Sequence, residues 1–231
     1  MSFSLRSRSE GKRGRIMLYT NYIWDFDGTI SDTYPYHSEA LVRALQTYPN
    51  APAHSKEEIY ARMKKTIGDG IDPYRESCPG IKQKYKEFYT QLRETRVIPP
   101  CSGVVEFIKA VAKNGGRNYL YTHSANYTKD MLADYGILEY FSDFVTSECP
   151  ADRKFPLKPK PDAVLYLLEK NGLDPNDTVM VGDREIDVLA GMNGGTKACM
   201  FDEGGYYPNS AATHYVTCMK DFADICGIKI D

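Results

Sequence analysis

Two aspartates, Asp25 and Asp27, stand two positions apart directly after a short apolar run. The run from 22 to 24 predicts a buried β-strand that ends in a glycine-containing turn. Because side chains alternate along an extended chain, we expect both carboxylates on the same side. Neighbouring carboxylates repel each other, and a divalent cation or a shared proton would remove that cost. The alternative is that both acids face water in a loop.

Reactive side chains also follow later apolar runs. Thr122 ends the run 118–122, and His123 and Ser124 come next, where a helix is expected to start. A hydroxyl beside the unpaired N–H groups of a helix start can bind an anion. Lys158 lies between segments whose prolines stiffen the backbone that presents it.

Asp183 and Asp187 follow the run 177–183 at a spacing of one helical turn. In an open α/β sheet, ligands bind beyond the carboxyl ends of the strands, so these groups are expected to meet there. Carboxylates suit Mg²⁺, and a lysine, a hydroxyl and a helix start suit a phosphate group. Asp187 has three possible roles: a metal ligand, a residue that supports the ligands, or a solvated acid favoured by the helix dipole.

Strands and helices alternate in the part of the chain that must position these residues. Further strands are predicted at 118–122, 141–146, 177–183, 197–201 and 214–217, and helices at 104–113, 126–135 and after Pro161. Alternation of this kind predicts an α/β fold, a Rossmann-like doubly wound parallel sheet with helices on both faces. After the first strand, helices are predicted at 36–47, 56–65 (capped by Ser55) and 81–94, with a loop-rich stretch at 66–80. We expect these helices to form an inserted α-helical domain, and the resemblance described below implies that it is a cap domain.

Composition limits the functional class. The 231 residues are 42% hydrophobic and 26% charged, with a net charge of −2, which gives no general attraction to nucleic acid or membrane. No apolar stretch approaches the roughly 20 residues that span a bilayer. The six cysteines show no metal-binding or disulfide-like spacing. We therefore expect a cytoplasmic protein with reduced thiols, a monomer or homodimer, without nucleic-acid or membrane partners.

The chain is predicted to divide into a tail, a core and a cap. Residues 1–16 are rich in Arg, Ser and Gly and lack the apolar centre of a secretory signal, so a flexible basic tail is expected. Residues 17–32 and 97–231 form the predicted Rossmann-like catalytic core. Residues 33–96 form the predicted helical cap.

Four motifs, taken in order, resemble those of the haloacid dehalogenase (HAD) superfamily. They are Asp25-Phe-Asp-Gly-Thr-Ile30, Thr122, Lys158-Pro-x-Pro161 and Gly182-Asp-x-x-x-Asp187. The helical insert resembles the cap of the phosphoglycolate phosphatase and β-phosphoglucomutase branch. The resemblance extends from residue 17 to about residue 218.

The resemblance implies a Mg²⁺-dependent phosphatase that hydrolyses a small phosphorylated metabolite. Asp25 would be the nucleophile that becomes an aspartyl phosphate, and Asp27 would act as general acid and then base. Thr122 and Lys158 would hold the phosphoryl oxygens. Mg²⁺ would be bound by Asp25, by Asp27 through its carbonyl and by Asp183.

Substrate contacts are expected from both parts of the chain. The candidate residues are Gly28, Thr29, His37, Lys64, Lys65, Arg75, His123 and Ser124. His37 falls where β-phosphoglucomutase-like sequences place a substrate-contacting histidine, although it could simply be a polar residue on a cap helix. Lys64, Lys65 and Arg75 could receive a second anionic group, as phosphoglycolate or a bisphosphate would require.

Other functions stay open at this point. A phosphomutase differs from a phosphatase by the access of water to the phospho-enzyme. Dehalogenases and phosphonoacetaldehyde hydrolases lack the second acid, so Asp27 disfavours both. Response-regulator receivers also use aspartates, Thr or Ser and Lys, but they are about half this length and have no insert. A catalytically inactive binding protein of the same fold would usually have lost a motif residue.

Overall fold

The centre of the protein is a parallel six-stranded sheet in the order β3-β2-β1-β4-β5-β6. The structure is a computed structural model that describes residues 17–150 and 154–230, so the expected tail at 1–16 lies outside the described residues. The strands are β1 (Asn21–Trp24), β2 (Arg117–Tyr121), β3 (Phe141–Val145), β4 (Thr178–Gly182), β5 (Lys197–Phe201) and β6 (His214–Val216). The predicted parallel sheet and all six of its strands are confirmed.

Alternation within the strands divides the sheet into two buried faces. In β1, Tyr22 and Trp24 pack into one hydrophobic cluster, whereas Ile23 packs into another. Met180 in β4 joins the cluster of Ile23, while its neighbours in the strand face the other way. Because helices cover both faces, every residue of the central strands β1 and β4 is buried.

Helices cover each face of the sheet. They are α5 (Val104–Lys113), α6 (Tyr127–Asp134), α7 (Asp162–Asn171), α8 (Glu185–Asn193) and α9 (Met219–Ile225). Apolar residues of α5, α6 and α9 lie in the cluster with Trp24, and those of α7 lie in the cluster with Ile23. The short helix α9 was missed by the sequence analysis.

Four α-helices lie between β1 and α5, and we call them the helical insert. They are α1 (Tyr34–Gln46), α2 (Lys56–Lys65), α3 (Ile67–Ile71) and α4 (Ile81–Thr95). Their buried residues form a hydrophobic cluster separate from those of the sheet. The predicted cap of α2 is confirmed, because Ser55 accepts a hydrogen bond from the backbone of Glu58.

The expectation of a loop at 66–80 is wrong for its first part. Helix α3 forms there because Thr66 caps it by accepting a hydrogen bond from the backbone N–H of Asp69. Gly70 allows the close contact with α2, since a Cβ there would lie 2.4 Å from the Met63 side chain. Tertiary packing thus outweighs the low helix propensity of glycine.

Among the described residues, no helix is long and apolar enough to cross a membrane. The six cysteines are free thiols, as their spacing predicted.

Candidate active site

Three buried aspartates meet at the carboxyl edge of the sheet. Asp25 follows β1, Asp183 follows β4, and Asp187 lies in the first turn of α8. Their side chains are almost fully buried, and each offers an oxygen within 4.8 Å of the others. The sequence predicted that these three groups would come together, and the fold brings them together.

Two glycines allow the loops to approach this closely. Gly28 has a φ of +77°, and a Cβ there would lie 2.5 Å from an oxygen of Asp183. A Cβ at Gly182 would lie 2.2 Å from the Cβ of Asp187. Any larger residue would therefore push a carboxylate out of the cluster, and a residue with a Cβ at position 28 would also be strained.

Lys158 neutralises part of the cluster. Its ammonium lies 2.5 Å from Asp25 Oδ1 and 2.8 Å from Asp187 Oδ1, and it also donates to the backbone oxygen of Tyr121. Burial disfavours its charge, but attraction to Asp187 and Asp25 outweighs burial and raises the pKa of Lys158. Two other lysines lie in the same part of the sequence, but Lys154 and Lys160 are exposed, whereas Lys158 is buried in the cluster.

The remaining negative charge fits a divalent cation. Burial, together with the charge of Asp187, raises the pKa of Asp25 to about 7. Asp25 Oδ2 is buried and has no hydrogen-bond partner in the part of the chain that the structure describes. An unpartnered carboxylate oxygen beside two further carboxylates is a donor set that suits Mg²⁺. Asp25, Asp183 and Asp187 are therefore the side chains that could hold the metal.

The Asp27 carboxylate is not one of the three that cluster, and its two oxygens face other partners. Its Oδ2 accepts a hydrogen bond of 2.5 Å from Ser124, and its Oδ1 lies 3.7 Å from His37 Nε2. Burial alone would raise the pKa of Asp27, but interactions with His37, Ser124 and Thr33 outweigh it and lower the pKa to about 2. The chain turns after β1, so strict strand alternation does not extend to residue 27.

Thr122 is buried at the end of β2, but fewer free N–H groups lie beside it than expected. The N–H of Ser124 donates to Thr122 Oγ1, and that of Asn126 donates to Glu148. His123 accepts a hydrogen bond of 3.0 Å from the backbone N–H of Lys158. The ring of His123 therefore supports the loop that carries Lys158, which we call the lysine loop. The sequence did not indicate this role.

The remaining predicted substrate residues separate into several groups. Thr29 donates weakly to Asp183, at 3.4 Å. Lys64 is buried against Asp183 at 2.6 Å, and Lys65 is exposed. Neither lysine is among the residues that line the cavity described below, so their contact with a second anionic group stays a prediction. Arg75 lines the cavity, although it also pairs with Asp72 at 2.5 Å.

A cavity of about 630 Å³ lies between the helical insert and the edge of the sheet. Its described lining includes the predicted His37, Arg75, His123 and Ser124, together with Tyr85, Tyr89, Tyr127, Lys82, Lys86 and Arg93. It contains four Lys or Arg side chains and no carboxylate among the described lining residues.

The contribution of α4 to this cavity was not predicted, because its sequence shows mainly an apolar stripe of Tyr85, Phe88, Tyr89 and Leu92. The apolar stripe of α4 predicted only a packed face, and the lysines beside that stripe are of a type that is usually exposed. The sequence feature that could have indicated this contribution is the spacing of Lys82 and Lys86, which places both on one side of the helix.

His37 lies at the floor of the cavity. Its Nδ1 is 2.7 Å from the hydroxyl of Tyr85, and its ring stacks on Tyr89 with centroids 3.9 Å apart. The opposite ring nitrogen faces Asp27. The histidine thus connects the insert to the second aspartate.

The protein thus has an α/β fold with a cluster of buried carboxylates at the carboxyl edge of a parallel sheet. Residues 22–201 match the family model of haloacid dehalogenase-like hydrolases. The chain belongs to this family, and it is an enzyme of the phosphatase class.

Relatives agree with this assignment. Pyrophosphatase PpaX of Bacillus velezensis is 30% identical over 184 residues, covering 77% of this chain and 81% of that protein. A predicted phosphoglycolate phosphatase from Haemophilus somnus has a TM-score of 0.75 at 18% identity, covering 90% and 98%. CbbY from Rhodobacter sphaeroides, in complex with phosphate, has a TM-score of 0.66 at 17% identity, covering 88% and 96%. The two solved structures show the similarity of fold.

Proposed function

We propose that the protein is a Mg²⁺-dependent phosphatase that hydrolyses a small phosphorylated metabolite through an aspartyl-phosphate intermediate. The observation that carries the proposal is the buried set of Asp25, Asp183, Asp187 and Lys158 at the sheet edge. It combines a nucleophile, a candidate cation site and a fixed positive charge within one small volume.

In the first step, a carboxylate oxygen of Asp25 attacks phosphorus, the phosphorus–oxygen bond of the ester breaks, and the leaving oxygen takes a proton. Lys158 and Thr122 hold the phosphoryl oxygens and offset the charge that develops on them. Bound Mg²⁺ would supply a further offset to the repulsion between a carboxylate and a phosphate dianion.

In the second step, water attacks the phosphorus of the aspartyl phosphate, and Asp25 is regenerated as phosphate leaves. We assign Asp27 as the base that accepts the proton of this water, and its lowered pKa means that it is ionised at neutral pH before the water reacts. For the first step Asp27 must carry the proton that it gives to the leaving oxygen, and the nearest basic side chain among the described residues is His37, whose Nε2 lies 3.7 Å from Oδ1.

The helical insert would act as the cap that selects the substrate. We propose that residues 33–96 form this cap and that residues 17–32 and 97–231 form the core. We also propose that the protein is located in the cytoplasm. The cavity between them presents Lys82, Lys86 and Arg93 to the leaving group. This excess of positive charge supports a substrate that carries a second anionic group.

Release of inorganic phosphate from p-nitrophenyl phosphate and a panel of metabolites tests the proposal. We expect steady turnover with Mg²⁺, none after exhaustive chelation, and none in Asp25→Asn. An Asp25→Asn enzyme that keeps a tenth of the activity would contradict the nucleophile assignment. Transfer between sugar phosphates in the presence of a bisphosphate, without release of phosphate, would instead indicate a mutase.

A further inference from the structure

Lys64 is a buried lysine whose partner is one of the candidate metal ligands. It lies near the end of α2, is 7% exposed, and places its ammonium 2.6 Å from Asp183 Oδ2. The ammonium also lies 4.4 Å from the centre of the Tyr34 ring. Lysine is almost never buried unless it is paired, so the contact with Asp183 explains its position. The next residue, Lys65, is exposed.

The Lys64 contact leaves Asp183 less available than Asp25 to a metal ion. Asp183 Oδ1 accepts from Thr29 at 3.4 Å, and Oδ2 is held by Lys64. An ammonium and a divalent cation that share one carboxylate repel each other and compete for the same negative charge. Lys158, which pairs with the other two carboxylates, belongs to the core, whereas Lys64 belongs to the helical insert.

The core also holds the backbone of Lys64. The hydroxyl of Tyr207 donates to the Lys64 backbone oxygen at 3.0 Å. Buried Asp202 shapes this loop, because its two carboxylate oxygens accept the backbone N–H groups of Tyr206 and Tyr207. The end of α2 is therefore attached to the core at two points, one of which is the candidate metal ligand.

We propose that Lys64 is an internal counter-cation of the metal site, so that Lys64 and Mg²⁺ are alternative partners of Asp183. Metal binding then releases the Lys64 side chain and loosens the end of α2, which couples the metal to the position of the helical insert. By linkage, the lysine weakens Mg²⁺ binding by the same factor as Mg²⁺ weakens the lysine contact. This inference rests on the proposed use of Mg²⁺.

Calorimetric titration of the full-length protein with Mg²⁺ tests the competition. The variant is Lys64→Gln, whose amide can still donate to Asp183 and so avoids an unpaired buried carboxylate. We expect its Kd for Mg²⁺ to be about tenfold lower than that of the wild type. The matched control, Lys65→Gln, removes the same charge one residue away and should leave the Kd unchanged. An unchanged or higher Kd in Lys64→Gln overturns the proposal.

Hydrogen exchange supplies a second measurement that does not depend on activity. In the wild type, Mg²⁺ should increase the amide exchange of residues 56–71, and in Lys64→Gln it should not. Tyr207→Phe keeps the lysine and loses only the hydroxyl contact, so it tests the coupling if Lys64→Gln does not fold. We expect it to bind Mg²⁺ about two- to threefold more tightly.

Phosphate release, measured in parallel, separates this inference from the proposed function. Turnover with Mg²⁺ but equal Kd values in the wild type and Lys64→Gln refutes only the role of Lys64. A lower Kd in Lys64→Gln without any turnover in the wild type supports the role of Lys64 and refutes the phosphatase. Absence of Mg²⁺ binding in both proteins refutes the metal part of both proposals.

Discussion

At the scale of single residues, Lys158 has the position of a group that acts on every substrate. Its ammonium contacts Asp25 and Asp187 and is buried in the core. We expect Lys158→Ala to lower kcat/KM for all phosphate esters by about a hundredfold, or about 3 kcal/mol, because a charge that holds the transferring group is lost. Steady-state kinetics on at least two unrelated esters measures this.

Lys160→Ala is the matched control for Lys158, since it removes an exposed lysine of the same loop. Its kinetics should stay within about twofold of the wild type, as expected for an exposed charge. If Lys160→Ala were inactive and Lys158→Ala remained active, the wrong lysine would have been assigned.

His123 gives the lysine loop a dependence on pH. Burial first, and then the charges of Lys158 and Arg184, lower the pKa of His123 from its ordinary 6.5 to about 4. The unfolded chain therefore binds the proton more readily, so the contribution of His123 to stability is complete above about pH 6.5 and is lost as pH falls toward 4. The neutral ring is required because it accepts the hydrogen bond from Lys158.

Urea unfolding of the wild type and of His123→Gln at several pH values tests this effect. The stability advantage of the wild type should shrink steadily as pH falls from about 6.5 to about 4. Comparison with the variant cancels the carboxylates that titrate in the same range. An advantage that stays constant over this interval would show that His123 does not titrate as its environment implies.

Which of these residues a sequence can reveal depends on where their partners lie. Asp25, Thr122 and Asp183 stand at the ends of apolar runs, and parallel strands align those ends at one edge. The partner of Asp27 was not predictable, because Ser124 reaches it across the fold and the local turn decides the direction of the carboxylate. The partner of Lys64 was even less predictable, since Asp183 is 119 residues away in the sequence.

At the scale of the elements, one buried polar residue joins two strands to a helix. Asn118 in β2 accepts from the indole N–H of Trp24 in β1, at 2.9 Å. Its amide donates to the backbone oxygens of Ile108 in α5 and Tyr140 before β3, both at 3.2 Å. The side chain is fully buried, so each lost contact would leave a polar group without water.

We therefore expect Asn118→Ala to reduce the free energy of unfolding by about 3 kcal/mol, because the buried indole N–H of Trp24 loses its acceptor and two backbone oxygens each lose a donor. Chemical denaturation measures the change. The control is Asn114→Ala, an exposed asparagine that donates to the backbone oxygen of Ala110. It should cost less than about 1 kcal/mol. Equal losses in the two variants would argue against a structural role for the buried network.

Element types were predictable because the apolar periodicity of the core is strong. The strand 197–201 and the helix 56–65 have the same bounds in the sequence prediction and in the structure. Helix α3 was missed because its five residues contain two glycines, and it is stabilised by the Thr66 cap and by contact with α2. The cap is local and the contact with α2 is tertiary, and neither produces an apolar periodicity in the sequence.

At the scale of the whole molecule, the chemistry and the selection of substrate are assigned to different parts of the chain. The carboxylate cluster belongs to the loops after the strands, whereas Lys82 and Lys86 belong to α4 of the helical insert. The sequence predicted an insert and a reactive edge. It did not reveal which cations face the cavity, because helix orientation relative to the sheet depends on packing between distant segments.

A pair of substitutions on opposite sides of α4 tests this division. The double variant Lys82→Gln/Lys86→Gln removes two charges from the cavity lining, whereas Lys84→Gln removes one that contacts Thr47 and the Tyr48 ring instead. We expect the double variant to lower kcat/KM about thirtyfold for an ester with a second anionic group, since each lost contact costs about 1 kcal/mol. Hydrolysis of p-nitrophenyl phosphate should change by less than about twofold, because Lys158 and the aspartates are intact. Lys84→Gln should alter neither rate. An equal loss on both esters in the double variant would show that α4 takes part in the chemical step, and the separation of roles between insert and core would then be wrong.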